Sequence, residues 1–197
     1  AIKAKLAALS DADVKARAKR RQKVLWSEGD AVAELALCGS RDELLEVMLR
    51  FAYRRLHTAA IFVKSGDGLV CFDVLDPLLE ARELRRFTLP AGDEHVIGKA
   101  MALRSPTLGP VDDSDPLCRL LGRKPRTVVV APILLSGRGI GAVVGDNGDK
   151  PIPAQLVGEL QRVLPSLQRA LTALIQKART AATTASAAAA AAVVTRA

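Results

Sequence analysis

Two strand–turn–strand units constrain this chain most. In the first, apolar runs at 59–64 and 69–75 flank Ser65-Gly66-Asp67-Gly68. In the second, runs at 127–135 and 140–144 flank Ser136-Gly137-Arg138-Gly139. Short strand-type runs joined by glycine-bearing turns form hairpins, and hairpins build antiparallel sheet. Asp76-Pro77 ends the first unit, and a weaker strand over 85–89 is closed by Pro90. Residues 106–110 read as extended, and Pro132 interrupts the second apolar run.

The segments between and around the hairpins have helical spacing. Ser40 and Glu43 form a capping box for a helix over 41–57, with Leu44, Met48, Phe51, Ala52 and Leu56 on its buried face. Asp93 is expected to cap a helix over 94–103, turning Val96, Ile97, Ala100 and Met101 inward. Asp115-Pro116 opens a short helix that Gly122 stops. A long helix over 154–178 carries Leu156, Leu160, Val163, Leu167, Leu171 and Leu174 on one stripe, and Pro165 is expected to kink it. Val157, Leu164 and Ile175 widen that stripe. Near the start, Ser10 and Asp13 open a helix over 10–28, Gly29-Asp30 punctuate, and a short helix over 31–38 ends at Gly39. After Arg179 the chain becomes Ala, Thr and Ser, with six alanines at 187–192. The expected organisation is a basic helical extension over 1–39, one α+β domain over 40–178 with an antiparallel sheet and helices on one side, and an Ala-rich tail over 179–197.

Composition narrows the function. The 197 residues carry a net charge of +8, but residues 31–150 hold 16 basic and 16 acidic side chains, so the excess sits at the two ends. A folded nucleic-acid-binding face would place it on the body. Lys15, Arg17, Lys19, Arg20, Arg21 and Lys23 form a basic arm suited to nonspecific acidic contacts and to no specific nucleic acid. No run of 18 apolar residues is present, so no membrane span is expected. The chain opens on Ala1 with no charged-then-apolar stretch, so a signal peptide is expected to be absent or already removed, and three scattered cysteines make no disulfide framework. A fragment of a larger cytoplasmic protein fits these features.

Candidate chemistry is sparse. Gly137, Gly139, Gly141 and Gly145 are followed by strand rather than helix, which favours hairpin packing over phosphate binding. Asp112, Asp113 and Asp115 lack the alternate spacing and the distant Glu of a calcium loop. Cys38 and Cys71 sit in apolar runs, while Cys118 lies beside Arg119 and alone has a setting that could activate it. His57 ends a helix, and His95 lies in the first turn of another, where it is the better ligand candidate. No metal, no cofactor and no catalysis are expected.

Several stretches resemble a GAF domain, the PAS-like regulatory module found in bacterial signalling proteins. They are Ser40-Arg41-Asp42-Glu43-Leu44-Leu45, Ala60-Ile61-Phe62-Val63, Leu89-Pro90-Ala91-Gly92, Val130-Ala131-Pro132-Ile133, Gly139 to Asn147, and Leu167-Gln168-Arg169-Ala170-Leu171. The resemblance covers roughly 140 residues, the size of one domain. It implies a pocket between the sheet and the 93–122 helices, with Phe72, Phe87, His95, Val96 and Asp113 as its candidate lining. It also implies a non-catalytic regulatory module, modulated by an unidentified small-molecule ligand in that pocket, that docks a protein partner or a second copy through its terminal helices, with Leu156, Leu160, Leu164, Leu167, Leu171, Leu174 and Ile175 at the interface. A ligand-free scaffold is the alternative, and a GAF-type methionine sulfoxide reductase is another. The sequence departs from bilin-carrying members, since no His neighbours Cys118, and from cyclic-nucleotide binders, since their Asn-Lys-Phe signature is not apparent.

Overall fold

A computed structural model describes residues 27–76, 79, 84, 87–90, 92 and 94–194, with side chains to 184. Helix α1 (Glu28–Leu37) and helix α2 (Arg41–Tyr53) precede the first hairpin, β1 (Thr58–Ser65) and β2 (Gly68–Leu75). Strand β3 (Thr88–Pro90), α3 (Val96–Leu103), β4 (Thr107–Gly109) and α4 (Pro116–Leu121) follow. The second hairpin, β5 (Val128–Leu135) and β6 (Arg138–Asp146), leads into α5 (Gln155–Val194).

The six strands form one antiparallel sheet in the order β3-β2-β1-β6-β5-β4, so the two hairpins meet through β1 and β6. This is the α+β class that the hairpins demand. Ser136 and Gly137 both take positive φ, which matches the right-handed twist of the strands they join. Gly141 faces Val63 across the central pair; a Cβ there would run into the Phe62 carbonyl oxygen and crowd the Val63 Cα at 3.3 Å. Gly141→Ala should therefore cost about 1–3 kcal/mol in a chemical melt, and an unchanged midpoint would refute that reading of the glycine.

Period-2 alternation gives the sheet two buried faces. Ala59, Ile61, Val129, Ala131, Ile133 and Val143 point to one, where α1, α2 and α5 lie. Ala60, Phe62, Val128, Val130, Ala142 and Val144 point to the other, where α3 and α4 lie. The long helices thus share one side as expected, and two short helices cover the second. Ala31 and Leu35 of α1 enter the first core beside Leu156 and Leu167, so the boundary expected at 39/40 falls inside a packed unit.

Four element ends differ from expectation. Ser27 accepts from the Asp30 N–H, and the Asp30 carboxylate accepts from the Ser27 N–H, so Gly29 and Asp30 open α1 rather than break the chain. The second helix stops at Tyr53, and His57 donates its N–H to the Asp146 carbonyl in the approach to β1. Helix α3 starts at Val96 with His95 as its cap; Asp93 lies outside the described residues. The last helix is unbroken at Pro165 and continues through the Ala-rich segment to Val194. Residues 85 and 86 of the weak strand, the basic arm, and nearly all of the expected 10–28 helix also lie outside the described residues.

Two carboxylates tie α1 in place. Arg162 of α5 makes a bidentate pair with Glu28 at 2.6 and 2.7 Å. That hydrogen bond holds the Glu28 carboxyl below its ordinary 4.5, and the Ser27 side-chain and backbone bonds hold Asp30 below its ordinary 3.8. A depressed folded pKa contributes stability above the unfolded value and loses it as pH falls through the folded one. Acid should thus loosen α1 first: amide protection factors over residues 28–37 should fall as the pH drops below about 4.5, while those of the sheet amides hold. Titration of Glu28 at or above 4.5 by NMR would contradict this.

Candidate functional site

The cleft implied by the resemblance lies between the second sheet face and α3–α4. Among the described residues it is filled. Phe62, Leu84, Leu117, Leu120 and Leu121 close on Ala60, Val128 and Val144, leaving about 10 Å³, the limit for a single water.

The expected lining does not assemble there. Cys71 faces the cleft, but β2 bulges: Ile61 faces Asp73 and Phe62 faces Cys71, so Phe72 is the extra residue. Its ring packs against the opposite core, on the side of α2. Phe72 and His95 therefore belong to different sheet faces, which overturns the lining as a set. Phe87 is 45% exposed. Asp113 is a surface group paired with Lys124 at 2.8 Å. Val96 is half-buried against the cleft core.

His95 is fully buried and satisfied locally. Its Nδ1 accepts from the Gly98 N–H at 3.3 Å, which leaves the ring proton on Nε2 to be donated to the Pro90 carbonyl at 2.6 Å. The ring is a helix cap that staples α3 to the end of β3. Asp115 has a similar double role: one carboxylate oxygen caps α4 through Leu117 N–H at 2.9 Å, and the other accepts from Val96 N–H at 2.8 Å. Asp112, Asp113 and Asp115 thus diverge to separate partners.

A polar cluster that sequence reasoning missed closes one end of the cleft. Arg123 reaches Asp146 at 2.5 and 3.1 Å and Thr58 Oγ1 at 2.7 Å. The Thr58 hydroxyl donates to Asp76, and Asp76 lies 3.6 Å from Arg123. Asp76, Asp146 and Thr58 are all buried. The only sequence signal was position: Thr58 opens β1, Asp76 follows β2, Asp146 closes β6 and Arg123 follows the helix stop at Gly122.

Two of the three cysteines are pushed toward the thiol form. Burial, then the charges of Asp115 and Asp113, pushes Cys118 up; burial, then Glu43, Glu34 and Glu46, pushes Cys38 up. Cys71 is buried in the sheet. Among the described residues, no group of three His, Cys, Asp or Glu side chains could hold a metal ion.

The helical layer differs from expectation too. Leu156, Leu160, Leu164, Leu167 and Leu171 are buried in the first core, and Leu174 packs half-buried at its edge beside half-buried Ile175. The stripe fits the sheet and α1–α2, so it does not form the expected interface. What remains open is the outer side of α5. There a groove of about 410 Å³ runs between α1 and α5.

The sheet order and the helices on its two faces define a GAF-like fold. No family model matches the chain, and no curated protein matches it. Solved structures do. The phycocyanobilin-bound GAF domain of a cyanobacterial phytochrome is 12% identical with a TM-score of 0.62, covering 78% of this chain and 98% of that one. The GAF domain of a phosphoenolpyruvate-protein phosphotransferase from Coxiella burnetii is 16% identical with a TM-score of 0.60, covering 79% and 94%. The free methionine-R-sulfoxide reductase of Neisseria meningitidis is 18% identical with a TM-score of 0.61, covering 76% and 89%. At these identities the likeness is one of fold. The last match overturns the expectation that this chain is no enzyme, because the same fold carries a reductase. No described helix is long and apolar enough to cross a membrane.

Proposed function

We propose that this chain is a regulatory module whose working surface is its helical layer. The carrying observation is the filled cleft: Phe62, Leu84, Leu117 and Leu120 occupy the space between the sheet and α3–α4. Regulation then passes through helix contacts with a protein partner rather than through a small ligand. Helix α5 supports this reading. Its first half is rooted in the core by Leu156, Leu160, Leu167 and Leu171, and residues 176–184 extend with exposed side chains. A rooted helix that runs on is suited to transmitting a shift in packing. The likeness to GAF domains of a phosphotransferase and a phytochrome agrees with a signalling role.

Site-specific photocrosslinking in cells tests the surface. A photoreactive residue at Leu37 or Ala173, on the helical layer, should give protein adducts. The same residue at exposed Leu103 or Leu108, beside the cleft helices and edge strand, should give none. Equal adducts at both pairs, or adducts at the second pair alone, defeat the reading.

A further inference from the structure

The groove between α1 and α5 has a composition that selects its occupant. Val32, Leu35 and Ala36 form one wall, and Ala170, Ala173 and Leu174 form the other. Cys38, Ser166, Arg169 and Lys177 complete the lining; its charged members are the two cations of α5, while Glu34 of α1 and Glu43 and Glu46 of α2 act on Cys38 from the other side. Beyond Glu159 the chain has no acidic residue, while α5 carries Arg162, Arg169, Lys177 and Arg179. Glu28 neutralises Arg162. Among the described residues, Arg169, Lys177 and Arg179 have no carboxylate partner; Arg169 bonds only the Ser166 hydroxyl, at 3.0 Å. Leu37, at the end of α1 beside the groove, is 81% exposed. The lining on α5 recurs at Ser166, Arg169, Ala170, Ala173, Leu174 and Lys177, one helix face of about 16 Å.

We infer that this groove receives an amphipathic helix of a partner protein, with small or medium apolar residues on its inner face and carboxylates on its flank. A floor of alanines between two helices admits a third helix closely, about three turns long. The cations of α5 would meet the carboxylates along one rim. Two other occupants fit the charge less well. A second copy related by a two-fold axis through α5 would set Arg169, Lys177 and Arg179 against the same residues. The chain's own residues 1–26 carry eight basic and two acidic side chains, so they are repelled as well. The inference rests on the helical layer being the working surface.

The test uses the whole chain and two labelled 15-residue helical peptides. Both present Leu and Ala on one face; the rest is Glu in one and Lys in the other. Fluorescence anisotropy at about 50 mM salt should show the Glu peptide binding about tenfold tighter than the Lys peptide, with affinity falling as salt rises. Arg169→Glu with Lys177→Glu should invert the preference. Ala173 is exposed, so Ala173→Trp should fill the groove and abolish binding with little change in thermal midpoint. No binding, equal binding of the two peptides, or binding indifferent to Ala173→Trp overturns the inference. So does light scattering that gives a dimer which Ala173→Trp dissociates, because a second copy then fills the groove. Crosslinks at Leu37 that persist after any of these failures would leave the helical layer as the working surface and remove only the acidic helix.

Discussion

Glu159→Ala should lower the unfolding free energy by about 3–5 kcal/mol, the loss typical of a buried ion pair broken on one side. Arg54 and Glu159 tie α2 to α5 at 2.5 Å, with side chains only 3% and 9% exposed. Arg54 also donates to the Phe51 carbonyl at 2.7 Å and stacks over the Phe51 ring at 3.6 Å. Those contacts fix the guanidinium in place, and burial already pulls its pKa down, so without Glu159 it keeps only the Phe51 contacts and the weaker pull of Glu28. Arg55 also pairs with Glu159, at 3.0 Å, but its side chain is 44% exposed and can return to water. Glu159→Gln should cost less because it keeps an acceptor. The double change Arg54→Leu with Glu159→Leu should recover much of the loss, since an apolar pair of similar bulk replaces both charges. Urea titrations of the four proteins decide this. A loss below about 1 kcal/mol for Glu159→Ala would mean that the pair is not buried in solution.

Phe62→Ala should be of similar size, about 3–5 kcal/mol, and should change what the cleft can hold. Phe62 is fully buried and is the largest side chain in that space. Its removal leaves an apolar hole lined by leucine and valine, and such holes stay dry and admit small apolar guests. Benzene or indole should then raise the thermal midpoint of the variant and leave the parent protein unaffected. A variant that loses under about 1.5 kcal/mol and ignores both guests would show that α3–α4 collapse onto the sheet, and that the cleft is adaptable rather than filled by design.

The hairpins, the Ser40–Glu43 box and the Asp115-Pro116 start were legible because each depends on neighbours within a few residues. Ser27 and Asp30 form the same kind of box, but Gly29 between them read as a break. What was illegible depends on contacts across the chain. The bulge that turns Phe72 away from the cleft is fixed by the register of β1 on β2, and strand alternation read from one segment cannot locate it. The Arg123 cluster joins positions 58, 76, 123 and 146, which are near each other only after the sheet closes. The leucines of α5 have the spacing of an interface and of a core alike; only the presence of the sheet and α1–α2 beneath them decides between the two. His95 had a chemically suggestive identity, and its two ring nitrogens turned out to serve the backbone.

Pro132 carries a consequence for the life of this protein in a crowded solution. Strand β4 pairs with β5 only from Val128 to Val130, and among the described residues no strand pairs with the outer side of β5 beyond that point. A backbone edge without a strand partner that carries Ile133, Leu134 and Leu135 is the kind of template on which a stray strand of another chain can zip. Proline has no N–H to offer such an intruder. The bulge between Ile133 and Leu134 then shifts the ladder one residue later. Exchanging Pro132 for valine would restore an unbroken row of donors. The protein would then be expected to stay folded as a single molecule and still precipitate from concentrated solution.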